Sequence, residues 1–156
     1  MGTTIEFYSA DPQDFVTLFS SPIDEQDREA FFRKLKTYPV ADFSFHVLIP
    51  DDLDRLCQII RTQGLSVFPV FTDNLVKVVW DDGESESITL VSDSFVSAIA
   101  KVDDEMLEKI ASEWAKPFHY KQHIHTTPAY RGLLQLRDVC RDVIRKKTSL
   151  LLRLLY

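Results

Sequence analysis

Apolar and polar residues alternate with a period of two at the start of this chain. In TTIEFYS, Ile5 and Phe7 point one way and Glu6 and Tyr8 the other, which predicts a strand. At DPQDFVTLF the pattern becomes helical, with Asp11 as N-cap and Pro12 in the first turn, where its missing N–H does no harm. PIDEQDREAFFRKLKTY predicts a second helix, acidic at its start and basic at its end as the helix dipole favours. Ala30, Phe31 and Leu35 supply its buried stripe. After Pro39 the alternation returns in DFSFHVLI, with Phe43, Phe45, Val47 and Ile49 on one face and Ser44, His46 and Leu48 on the other. Pro50 opens a helix through DDLDRLCQIIRTQ that turns Leu53, Leu56, Cys57 and Ile60 inward and stops at Gly64. LSVFPVF reads as another strand, pushed to a sheet edge by Pro69.

LVKVVWDDGESESITLV predicts a hairpin, and the side-chain period selects its loop. A two-residue Asp82-Gly83 turn would set Val76, Val78 and Trp80 opposite Thr89, Ser87 and Ser85, which wastes the apolar face. An odd loop such as Asp81-Asp82-Gly83, with Gly83 left-handed, instead sets Val76 across from Ile88. DSFVSAIAK and DDEMLEKIASEWAK predict two helices broken near Val102. The second is capped by Asp103 and closed before Pro117, and the pair buries Phe95, Ile99, Leu107, Ile110, Ala111 and Trp114. From Pro128 a long helix runs through YRGLLQLRDVCRDVIRKK, with Leu133, Leu136, Val139, Cys140, Val143 and Ile144 as its apolar face. The closing SLLLRLLY has too few polar positions for a surface helix and predicts a strand buried on both faces inside the sheet. Together these elements define one α+β domain over residues 1–156. Its sheet has four to six strands, mostly antiparallel or mixed, packed with five to six helices, and the C-terminal segment is a buried strand.

Composition narrows the picture. A chain of 156 residues, 45% hydrophobic and 27% charged, can bury a core of its own and is not disordered. The two cysteines, Cys57 and Cys140, sit among aliphatic neighbours at helical spacing and read as small buried hydrophobes rather than a disulfide framework. MGTTIEFYSADP carries no basic, apolar leader pattern, and the longest apolar run, LLLRLLY, is too short to span a bilayer. We therefore expect a cytoplasmic protein with no membrane partner. The net charge of −6 is unevenly spread, since residues 119–156 hold eight Lys or Arg against two Asp. A basic end on an acidic body can contact nucleic acid, but an overall pI near 5.2 disfavours that use. A last helix that packs on the acidic body and neutralises part of it fits better.

Motifs exclude more than they propose. The four glycines, Gly2, Gly64, Gly83 and Gly132, are too scattered for a phosphate-binding loop or a dinucleotide fingerprint. G-x-S-x-G, H-E-x-x-H, C-x-x-C and kinase signatures are all missing from the chain. The DDGESE turn lacks the order of an EF-hand loop and reads as a solvated hairpin tip. The pairs Asp11/Asp14, Asp24/Asp27 and Asp51/Asp54 stand at helix starts, where capping explains them.

Two clusters remain. HYKQHIH places three of the four histidines, His119, His123 and His125, within seven positions. The first two share a helical face and the last two share a strand face, so only a loop could gather all three on zinc or another transition metal, with His46 or an acid as fourth ligand. Without metal, the imidazoles with Tyr120, Lys121 and Tyr130 would form a polar, pH-sensitive patch. In the last helix, Arg137, Arg141 and Arg145 repeat every fourth residue as a candidate interaction face. Three functions follow. The leading one is a non-enzymatic interaction protein with no cofactor, engaging a protein partner or a second copy of itself. The second is a small metal-binding protein or hydrolase-like enzyme built on His119, His123 and His125. The third is nucleic-acid binding through the C-terminal arginines. Substrate and small-molecule ligands are open at this stage.

Overall fold

The computed structural model describes residues 4–20, 27–44, 50–67 and 77–156. Among these residues five strands, β1 (Thr4–Ala10), β2 (Val40–Asp42), β3 (Lys77–Asp81), β4 (Glu86–Leu90) and β5 (Ser149–Leu155), form one antiparallel sheet of order β2-β1-β5-β4-β3. Among the described residues the helices are α1 (Pro12–Ser20), α2 (Arg28–Leu35), α3 (Pro50–Thr62), α4 (Asp93–Ala100), α5 (Asp104–Trp114) and α6 (Pro128–Lys146). The expected α+β architecture is therefore present, with the last segment of the chain inside the sheet. β5 pairs along its whole length with β1, Thr4 opposite Leu155 through Ala10 opposite Ser149, and on its other side with β4. It joins two hairpin-like halves that have no direct strand pairing with each other. This is why SLLLRLLY is apolar on both faces.

The period of two sorts the core. Ile5 and Phe7 of β1, Leu150, Leu152 and Leu154 of β5, and Val91 beyond β4 join α3–α6 in one large cluster. Tyr8, Ala10, Ile88 and Leu151 point to the other face and meet Phe15, Phe19, Phe31 and Leu35 of α1 and α2. Asp11 and Asp103 cap α1 and α5 as expected and Thr127 caps α6, whereas Asp27 makes no side-chain cap bond at the start of α2. Asp11 Oδ1 accepts from the N–H groups of Gln13 and Asp14, Asp103 Oδ1 from Met106 N–H, and Thr127 Oγ1 from Tyr130 N–H.

Several expectations are corrected. Ala30 is exposed, because the short α2 offers only Phe31 and Leu35 to the sheet. Helix α2 is described only from Arg28 to Leu35; residues 21–26 lie outside the described residues. Ile144 is 53% exposed, and Arg137 takes a buried place on α6 instead. The edge strand after Pro39 is only Val40–Asp42, earlier than the alternation suggested; His46 and residues 45–49 lie outside the described residues, as does most of LSVFPVF. The hairpin has the odd-loop parity and a left-handed Gly83 (φ 80°), but its register differs: Trp80, not Val76, faces Ile88. The reason is Asp82. Its Oδ1 accepts from the N–H groups of Glu84, Ser85 and Glu86 and moves the reversal later. A bulge at Val79 then lets both Val79 and Trp80 pack on the α1/α2 cluster.

Candidate functional site

The HYKQHIH stretch is a connector between α5 and α6, broken into 3₁₀ turns at Lys116–Phe118 and Ile124–Thr126. Phe118 packs edge-on against Trp114, and Ile124 and Tyr120 reach the core. Burial without a hydrogen-bond partner raises the Tyr120 phenol above its usual pKa. All three histidines are exposed. His119 adopts a left-handed conformation (φ 53°) at the end of the first 3₁₀ turn. His123 and His125 are neighbours, with ring centroids 4.9 Å apart. His125 also lies 4.8 Å from the Tyr130 ring, and its Nε2 is 3.1 Å from Glu108 Oε2. Among the described residues no three His, Cys, Asp or Glu side chains are placed to hold a metal ion. The structure thus unites His123 and His125 without bringing His119 into a common ligand set.

The arginine stripe is largely turned to internal use. Arg137 is buried, donates to Val102 O (3.2 Å) and pairs with Asp104 (2.8 Å). Arg141 donates to Ala100 O and Val102 O, at 3.0 and 3.2 Å. Both guanidinium groups hold carbonyls at the end of α4 and just beyond it, where the helix leaves acceptors unmatched. Arg141 is nonetheless exposed, and Arg145 keeps most of its side chain in solvent.

Other reactive groups are also committed. Burial pushes the Cys57 thiol up to about 12 and raises Cys140 further, so neither supplies a thiolate. On the α1/α2 face of the sheet, Arg153 pairs with Glu86 and with Glu6 (2.8 Å), and Tyr8 donates to Glu6 (2.9 Å). Burial, then the Glu6 carboxylate, hold the Tyr8 phenol well above its usual range. Phe19 covers the guanidinium from above at 5.3 Å. The cluster crosses three adjacent strands, β1, β5 and β4.

Between β2 and α6 lies a groove of about 510 Å³, lined by Pro39, Val40, Gln135, Asp138, Val139, Arg141, Asp142 and Arg145. Among the described residues its strand wall is a sheet edge. Phe43 N–H donates to Ile5 O and Ser9 N–H to Pro39 O, so alternation turns the main chain of Val40 and Asp42 outward. Gln135 Oε1 accepts from Asp42 N–H (3.3 Å) and closes one end. The helix wall is a stripe at three- and four-residue spacing: Gln135, Asp138, Val139, Asp142 and Arg145. Asp142 accepts from Ser9 Oγ (2.9 Å) and pairs with Arg145 and with Lys146 (3.2 Å). Burial alone would raise its pKa, but those partners outweigh burial and hold the carboxyl below its usual range.

Sequence reasoning found Arg141 and Arg145 but not the groove. Gln135, Asp138, Asp142 and Arg145 share one helical face, a signal that was legible, yet it gains meaning only once Val40 lies opposite. Comparison with protein-family models, curated proteins and solved structures returns no match. No described helix is long and apolar enough to cross a membrane.

Proposed function

We propose that this chain is a non-enzymatic binding protein that engages a protein partner along the groove between β2 and α6. The observation that carries the reading is that groove's construction, with outward main-chain groups on one wall and charged side chains over an apolar floor on the other. The placement of the reactive groups supports it. The thiols are sealed, the Glu6 and Glu86 carboxylates are both engaged by Arg153, and the imidazoles stand on an exposed connector.

The test is affinity capture with the whole chain, in parallel with Gln135→Ala/Arg145→Glu, which changes two exposed side chains of the groove. The expected outcome is a discrete partner, identified by mass spectrometry and reconstituted pure, that the double variant loses while it still unfolds cooperatively. Equal retention of that partner by the variant would sink the reading.

A further inference from the structure

The two walls of the groove make different offers. The β2 wall presents main chain. By the alternation of its bonds to β1, the Val40 N–H and C=O and the Asp42 C=O point away from the sheet, and among the described residues only Asp42 N–H is taken, by Gln135. Val40 lies opposite Tyr8, so its side chain belongs to the α1/α2 face, where it is 39% exposed. What borders the groove is therefore the edge of the strand. The α6 wall presents side chains, with Val139 at the floor between Asp138 and Asp142. An edge strand beside a helix, one stride apart, is what a further strand needs: hydrogen bonds on one side and a receptor for alternate side chains on the other.

Charge indicates what those side chains are. Asp142 is one carboxylate shared by two cations, Arg145 and Lys146, as well as Ser9. That end of the groove therefore keeps one positive charge uncompensated within a chain whose net charge is −6. Arg141 adds a second cation, whose hydrogen bonds go to neutral carbonyls, and Asp138 adds a second carboxylate, so Arg141, Arg145 and Lys146 against Asp138 and Asp142 leave an excess of one positive charge.

We infer that the groove receives an extended segment of a partner protein, added as a further strand along β2 and carrying an acidic side chain that meets Arg145 and Lys146. This rests on the binding reading above and specifies its partner.

The test uses the whole ¹⁵N-labelled chain and short synthetic peptides of alternating Val and Glu, with alternating Val and Lys as the control. The Val–Glu peptide is expected to shift the amides of Val40, Asp42, Gln135, Asp138 and Arg145 and to slow hydrogen exchange at Val40. The Val–Lys peptide is expected to bind about tenfold more weakly or worse, as loss of a charge-assisted contact and gain of a like charge require. Strand addition has its own signature. Only every second peptide nitrogen faces β2, so N-methylation of the Val nitrogens and of the Glu nitrogens should differ in effect by about tenfold. Groove shifts with no difference between the two methylated peptides would overturn strand addition while leaving the groove as a binding site. Absence of groove shifts, with a captured partner that Gln135→Ala/Arg145→Glu still binds, would overturn both. Groove shifts that grow with protein concentration alone, with a dimer in sedimentation, would make the occupant a second copy and overturn the acidic segment.

Discussion

The two faces of the sheet solve the same packing problem in opposite ways. Against α3–α6, the strands offer Ile5, Phe7, Leu150, Leu152 and Leu154, and the interface is sealed by apolar burial. Against α1 and α2, the strands offer Glu6, Tyr8, Glu86 and Arg153 among the aromatic rings. Burial on the first face is non-directional and tolerates repacking. On the second, each charge is safe only while its partners are in place, because an uncompensated buried ion costs more than the intact pair gains. The charged face therefore depends on its partners staying in place, whereas the apolar face depends on buried area. β5 serves both, since its successive residues alternate between them.

That contrast can be broken most severely at the shared strand. Deleting residues 149–156 leaves β1 and β4 without their common neighbour, and calorimetry should then show no cooperative unfolding transition. Next, Arg153→Met strands Glu6 and Glu86 and should cost about 3–5 kcal/mol in denaturant unfolding. Adding Glu6→Gln and Glu86→Gln should recover much of that loss, whereas simple additivity would show that the charges do not act as a unit. On the apolar face, Leu152→Ala should cost about 2–5 kcal/mol, and the Glu6→Gln/Glu86→Gln background should leave that cost unchanged.

A smaller effect is expected at Asp142, which ties Ser9 of β1 to α6. Its folded pKa is depressed, so it contributes stability that is complete above the unfolded aspartate value of about 3.9 and disappears as pH falls through the lower folded value. Urea midpoints of the wild type and Asp142→Asn should differ at neutral pH and converge below about pH 4. Smallest of all is Arg145→Ala. Its exposed pairing should be worth less than about 1 kcal/mol, so the variant tests binding with little effect on folding.

Much of this could be read along the chain. Asp11, Asp103 and Thr127 cap helices because short polar side chains reach the first free N–H groups, a local geometry set by neighbouring residues. Gly83 is left-handed where the turn demands it. The candidate site was less legible. Arg137 and Arg141 look like a solvated stripe until α4 ends beside them and offers its carbonyls. Ile144 looks like core until Arg137 takes the interior instead. The groove has one wall at residues 39–40 and the other at residues 135–145, and no periodicity connects them.

The sequence by itself determined most of the described elements, the caps at Asp11 and Asp103 and most of the buried faces, because each depends on side chains within a turn or a pleat of one another. It also marked SLLLRLLY as a central strand, since no other setting hides apolar side chains on both sides. Only the tertiary structure decided that this strand lies between β1 and β4, that Arg153 meets two glutamates there, and that the edge of β2 faces α6. Those outcomes depend on which distant segments meet in space. That is settled by the summed burial and charge pairing of the whole fold.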